Sequence, residues 1–497
     1  MGQFVPFGEW LPDLPAFNNP GATVAKNVLP GANSYLSFPN LSIYSTSIGG
    51  VCKGAIVARD TAGNYFNYVG DASALYVSTA LSWSNVSRLV GGVYATGSED
   101  YWEFVQFGSR VLAVNGSDAD VPQAITIGAA NFAALAGAPP RAKHIATVKD
   151  FVVMGNISAT AISPQMVRWC AINNADSWTP DAATMADFQD LPGNGGWVQK
   201  IVGGDTYGTV FQQRAIYRMT FVGSPLVFQF DKVQDNIGAY APQSVISYRN
   251  FSFFLAEEGF YMFDGSMLTP IGVGKVDQTF LDDLDTTNLH RIHAVIDPKR
   301  KMVAWAYPGD GNVSGNPNRV LIYNWAFKKW SRIEDLNIEL LLNVVTGTYT
   351  LDGLDAVSTN IDSMTVSFDD AQWRTGQYLL AAFNASHRLA LFNGSAMPAI
   401  VETNEVQLNA GPDGLAYITE VRPVLQGISA SITVAIAGRN VLTETPTYAV
   451  AVAPNSTGFA EVRSTARFHR VRLTTSDNAN YDHLQGVVLT DTEDGAR

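Results

Sequence analysis

Gly272-Val273-Gly274-Lys275 is the stretch of this chain that comes nearest to a phosphate-binding loop. Such a loop needs Ser or Thr after its lysine, and an earlier glycine to begin the cradle. Here Val276 follows the lysine and Thr269 stands where that glycine belongs, so the segment reads as a plain turn. His290 and His293 are three residues apart at the start of a β-type segment. In a strand that spacing places two rings on opposite faces, so they cannot share a metal. His144, His387, His469 and His483 are isolated in sequence. Ser367-Phe368-Asp369-Asp370-Ala371-Gln372-Trp373 approaches the aspartate box of sialidase blades. It carries Ala in place of Gly, its Trp arrives one residue early, and it occurs once. No G-x-S-x-G elbow is present. Glycoside hydrolysis needs a placed pair of carboxyls, and nothing singles out a pair among the 45 acids. The sequence therefore predicts no catalytic residue, no cofactor and no metal: a protein that is not an enzyme.

Composition narrows the class further. The net charge is −13 with only 32 basic residues, which excludes a nucleic-acid clamp built on clustered Lys and Arg. Charged residues make up 15%, against about 25% for an average soluble domain. So little surface charge on 497 residues suggests that much of the surface is covered in an assembly. Two cysteines, Cys52 and Cys170, form no disulfide framework, although they could pair. A reducing compartment fits best. The opening MGQFVPFGEWLPDLP lacks a basic segment before an apolar core, so no secretory signal is expected. The longest apolar run, Ile127–Ala138, is too short to span a bilayer.

One unit recurs: an apolar, aromatic strand, a tight polar turn, and a second strand ending in Asn, Gly or Asp. The clearest copies are Trp102–Gly116, His144–Asn156, Val198–Met219, Val245–Gly265, His293–Gly309 and Leu379–Gly394, with a weaker one at Ala55–Asp71. Their turns recur about every 40 to 60 residues, the period of propeller blades. No unit can bury its apolar face alone, so neighbours must stack. His293–Asp297, Met302–Tyr307, Arg319–Asn324 and Lys329–Ile333 spell out one four-stranded blade. Trp330, Trp178 and more distantly Trp83 recur after apolar strands and are expected to pack between blades. The fold class is all-β: a β-propeller of about six to seven blades, with an extended N-terminal arm and an inserted or appended β domain. Val276–Leu284 is the best short helix.

Four regions are expected. Residues 1–50 hold six prolines and form an extended arm. Its aromatics Phe4, Phe7, Trp10, Phe17, Tyr35 and Phe38 call for burial along the chain or along a neighbouring subunit. Deleting residues 1–40 is expected to leave a folded chain that assembles poorly. Residues 51–335 carry the blades. Residues 336–420 hold an insertion and further strands, since the turn spacing doubles at 334–375: a blade is lost there or enlarged. Residues 421–497 supply C-terminal strands that close the fold or form a separate domain.

Three stretches carry a resemblance. FGEWLPDLPAFNNPGATVAKNVLP with SYLSFPNL resembles the N-terminal arm of the tail-hub or tail-nozzle proteins of short-tailed bacteriophages. VFQQRAIYRMTFVGSPLVFQFDKVQDNIGAYAPQSVISYRNFSFFLAEEGFYMFDG resembles their most recognisable part, an R-x-I-Y-R-M strand followed by a D-x-x-G-x-x-A-P link. FHRVRLTTSDNANYDHLQGVVLTD is similar to their C-terminal strands. The resemblance implies a structural virion protein of the packaged-DNA-stabilisation type, made in the host bacterial cytoplasm. It implies a homo-oligomeric ring, a hexamer by preference, below the portal and its tail adaptor protein. Tail needle, plug or fibre proteins would sit at the tip, and double-stranded DNA would pass without specific binding. A conduit for phosphate gains from acidic walls. That makes Glu334, Asp335, Glu339, Asp352, Asp355, Asp362, Asp369 and Asp370 candidate channel-lining acids, because no Lys or Arg falls between Ile333 and Trp373. Leu389–Val421, with Glu402, Glu405, Asp413 and Glu420, is a second such stretch. Lys299, Arg300 and Lys301 at one hairpin tip, and Arg470 with Arg472 on one strand face, are candidate inter-subunit contacts. The alternatives are a tail-tip propeller that binds host glycan or receptor, and a propeller glycosidase.

Overall fold

A computed structural model describes residues 2–158, 163–346, 373, 376–409, 414–427 and 431–493. The chain is a seven-bladed β-propeller with a β-sandwich joined to one blade. Blades 1 to 5 are four-stranded antiparallel meanders whose inner strands are Ala55–Arg59, Glu103–Phe107, Ala142–Val148, Val198–Val202 and Ile246–Tyr248. Blade 6 begins at His293–Asp297 and contains the four strands expected of it. The recurring sequence unit is the first hairpin of blades 1, 2, 3 and 6, and in blades 4 and 5 it runs on into the third strand. Phe151–Ile157, the second strand of blade 3, is buried at every position, as a strand packed between two blades must be.

Blade 7 explains the interrupted period. Its inner strand Ile338–Val345 pairs with Tyr378–Asn384, which pairs with Arg388–Ala396. The Leu379–Gly394 unit is therefore the second hairpin of its blade, not the first. The blade is enlarged between its first two strands rather than lost, and the propeller continues past residue 335 to Ala396. The fourth strand comes from the arm: Pro39–Ser47 pairs antiparallel with Arg388–Ala396. N-terminal and C-terminal halves thus close the ring together.

The rest of the arm lies against its own chain. Gly2–Pro6 pairs with His483–Glu493. Val24–Lys26 sits between the outer strand of blade 6 and Ile400–Glu402, parallel to the first and antiparallel to the second. It fuses blade 6 to a sandwich sheet that continues through Phe468–Thr475 and Ile432–Arg439. The facing sheet is built on Ala416–Gln426 and His483–Glu493. One core runs through the sandwich and blades 5 and 6, joining Phe7, Trp10 and Tyr35 to Phe260, Trp305, Trp330, Val471 and Leu489. Phe38 is buried and Phe17 packs edge-on against Phe468 at 4.9 Å, whereas Phe4 stays half exposed. Trp178 and Trp330 are fully buried, and Trp83 packs against Phe383 of blade 7. Asp277–Asp283 is the single α-helix among the described residues.

The D-x-x-G-x-x-A-P link, Asp235 to Pro242, carries the chain from blade 4 to blade 5. Gly238 passes so close to blade 4 that a Cβ would lie 2.1 Å from the Gln212 carbonyl oxygen. Ala239 N–H donates to that carbonyl, and Tyr240 N–H reaches Leu255 in blade 5. Only glycine fits this approach.

The arm belongs to the core, and this corrects the expectation that a chain without residues 1–40 stays folded. Such a chain would bare apolar surface in both sandwich sheets and beside blade 7. A milder change measures the same point. Phe7→Ala should lower the free energy of unfolding by about 3–5 kcal/mol in chemical denaturation; a loss below about 1 kcal/mol would mean that the arm only rests on the surface.

Candidate functional site: the propeller channel and its charge clusters

The inner strands of all seven blades line one central cavity of about 610 Å³. A space of this size takes a small molecule, not a nucleic-acid duplex. Its walls mix polar and apolar surface, and its main charged cluster crosses three blades. Glu103 of blade 2 accepts hydrogen bonds from His144 Nδ1 of blade 3 at 2.9 Å and from Lys200 Nζ of blade 4 at 2.7 Å. Gln243, on the link into blade 5, donates to the same oxygen at 3.2 Å, and the Ile145 N–H reaches the other at 3.3 Å. Burial alone would push the Glu103 pKa up, but Lys200 and His144 outweigh it and hold the carboxyl at about 2. A carboxylate saturated by four donors is a poor proton acceptor, so the cluster fastens blades rather than moving protons.

A second buried histidine links blades 6 and 7. His293 Nδ1 lies 2.8 Å from the Arg291 carbonyl, and Nε2 accepts from the Leu341 N–H at 2.5 Å. These partners fix the tautomer with the proton on Nδ1. Burial lowers its pKa to about 4. The two cysteines are buried and free. No group of His, Cys, Asp and Glu among the described residues is placed to hold a metal ion.

The candidate channel acids have mixed placements. Glu339 is buried; its carboxylate accepts from the Cys52 N–H at 2.9 Å and pairs with His387 at 2.5 Å. It lies inside blade 7 and presents no charge to a channel. Glu334 is held by Lys26 at 3.0 Å and by Arg332. Asp335, exposed, also pairs with Lys26, at 2.7 Å. These two carboxylates neutralise cations at the seam between arm and blade 6. Asp352, Asp355, Asp362, Asp369 and Asp370 lie outside the described residues, as does Asp413.

The basic candidates divide. Arg472 Nε donates to buried Glu402 at 2.5 Å, and Arg470 approaches Glu402 at 3.6 Å and Glu405 at 3.4 Å. Arg439 joins Glu405 at 2.5 Å. Arg470 and Arg472 are therefore partners of buried acids within their own chain. This pairing removes Glu402 and Glu405 from the acidic surface. Lys299, Arg300 and Lys301 do occupy an exposed hairpin tip. Asp297 accepts the Lys299 and Arg300 N–H groups there at 3.0 Å each, which sets the turn, and its carboxylate also pairs with the Arg300 side chain at 3.5 Å.

Sequence reading passed over Glu103 and Lys200 and took His144 as isolated. Each is a charged or titratable residue near the start of an otherwise apolar inner strand.

No family model matches this chain, and no curated protein matches it. Among solved structures, the WD40 domain of Pan2 from Neurospora crassa is similar over 73% of this chain and 96% of its own, at 7% identity and a TM-score of 0.37.

Two outcomes follow from the charge placements. Between pH 6.5 and 4 the folded state binds fewer protons at His293 than the unfolded chain does. Acidification through that window therefore withdraws stability, about 2 kcal/mol by pH 5. The wild type should lose more stability than His293→Asn between pH 7 and pH 5, read as urea midpoints; equal losses contradict the assignment. Asp277, whose carboxyl burial raises to about 7, acts in the opposite direction but equally in both proteins. Separately, Arg470→Ala with Arg472→Ala strands buried Glu402 and should cost about 3–5 kcal/mol of stability. Unchanged stability with lost assembly would restore those arginines to an interface.

Proposed function

We propose that this chain is a structural virion protein, the tail-nozzle or hub subunit of a short-tailed phage. It works as a homo-oligomeric ring, a hexamer by preference. The ring extends the portal–adaptor channel, retains packaged DNA and conducts it on ejection. The observation that carries the reading is the convergence of the three resembling stretches. The arm and the strands from Phe468 onward are more than 400 residues apart, yet they interleave in the same two sandwich sheets. The middle stretch, residues 210–265, runs from the second strand of blade 4 to the third strand of blade 5, and blade 5 shares its core with that sandwich. The resemblance thus covers one packed body rather than three scattered segments.

Two surface features favour assembly. The loop after blade 1 exposes Leu89, Val90 and Val93 almost completely. Arg88 holds it in shape, donating to the Gly92 and Val93 carbonyls and pairing with Asp120 at 2.6 Å. A rigid apolar knob in water suits a partner surface. The Lys299–Lys301 tip supplies localised positive charge on an acidic chain, suited to an acidic patch on a neighbour.

Native mass spectrometry should give a closed multiple of 53.6 kDa, six copies by preference. Changing Lys299, Arg300 and Lys301 to Glu should shift the ring toward smaller species, more strongly at low salt than at high salt. A wild-type chain that stays monomeric at every concentration and ionic strength contradicts the proposal.

A further inference from the structure

At the end of the channel where the inner strands begin, a separate cavity of about 380 Å³ opens to solvent. This lies at the small end of the roughly 300–1,000 Å³ usual for ligand pockets. Gln199 lines it and is only 8% exposed, yet its side-chain amide makes no hydrogen bond within the chain. The reason is local. The pairing of Val198–Val202 with Tyr207–Gln212 slips between Val198 and Lys200, a β-bulge that takes Gln199 out of the regular ladder. Bulges of this kind re-aim a side chain next to functional sites. The amide atoms are not sealed off from solvent but open onto the cavity, where a ligand can reach them.

Trp197, two residues earlier, stands at the rim and is 54% exposed. Gln213 accepts the Trp197 N–H at 3.3 Å and keeps its own amide donors free. Thr286, Thr287 and His290 face them across the opening. Burial lowers the His290 pKa, which leaves the ring neutral at pH 7.

The cations nearby are already engaged. Lys143 pairs with Asp100 at 2.7 Å, and Lys200 with Glu103. Lys53 donates to the carbonyls of Gly97, Ser98 and Asp100 at 2.6, 2.8 and 3.1 Å. Glu99, also on the lining, has no counter-ion among the described residues. Lys143, the one Lys or Arg on the lining, is thus neutralised while Glu99 is not, so the lining itself disfavours an anion. What remains is a set of neutral groups that both donate and accept, beside one broad aromatic face.

We propose that this mouth cavity is a binding site for a neutral saccharide. Sugar hydroxyls both donate and accept, which matches amides and hydroxyls in any order. The apolar C–H face of a pyranose suits the indole of Trp197, an amphipathic ring with one wet edge. This inference does not rest on the tail-nozzle reading; a ring with no sugar site, or a sugar-binding monomer, would separate the two.

The test is saturation-transfer NMR on the full chain. The probes are the methyl glycosides of glucose, galactose, mannose and N-acetylglucosamine, with N-acetylneuraminic acid as the anionic comparison. At least one neutral glycoside should saturate at millimolar concentration or below, and the anionic sugar should not. Trp197→Ala and Gln199→Ala should each weaken binding by about tenfold, the loss of roughly one hydrogen bond or one stacking face. Trp197 is exposed, so its variant keeps the fold, and it decides the matter alone if Gln199→Ala does not fold. Absence of binding by all four glycosides up to about 50 mM overturns the proposal. So does binding that both variants leave unchanged, or a preference for the anionic sugar.

Discussion

Backbone hydrogen bonds of the first 47 residues are divided among three sheets, and the rest of the structure depends on that division. Gly2–Pro6 completes one sandwich sheet, Val24–Lys26 bridges the other to blade 6, and Pro39–Ser47 is the outer strand of blade 7. A propeller has to satisfy the edge of its last blade, because an open edge invites pairing with another chain. Here the strand that does so comes from the far end of the sequence. The same segment then ties the ring to the sandwich. Six prolines keep the path extended, and its aromatics supply apolar contact at each stop.

Charge is used in the same inward manner. The propeller axis is fastened by Glu103 with His144 and Lys200, the sandwich by Glu402 and Glu405 with three arginines, and the seam by Lys26 with Glu334 and Asp335. Buried pairs of this kind add little over apolar packing, but breaking one is costly, so they favour a single arrangement of blades. Much of the chain's modest charge is thus spent internally. The exposed surface includes an apolar stretch at Leu89–Val93 and a basic one at Lys299–Lys301.

The propeller was legible because each blade begins with an apolar hairpin, and a period of hairpins survives in sequence without any motif. Blade 6 was read strand by strand for that reason. Blade 7 was not, because its first turn is replaced by a long connection and its fourth strand lies some 340 residues upstream. No local pattern can report a partner at that distance. The partners of the described acids were hidden for a related reason. A stretch without Lys or Arg looks uncompensated along the chain, yet Glu339 meets His387, and Glu402 meets Arg470 and Arg472, across it. Gln199 left no trace at all, since its isolation comes from a slip in register rather than from a residue type.

The central claim is that the arm is a finished part of its own subunit and not a strand held out for a neighbour. Amide hydrogen exchange tests this most directly. The amides of Val24–Lys26 and Pro39–Ser47 should exchange as slowly as those of Phe151–Ile157 in the propeller interior, opening only when the whole chain unfolds. Rapid exchange in both arm strands, with Phe151–Ile157 still protected, would contradict it.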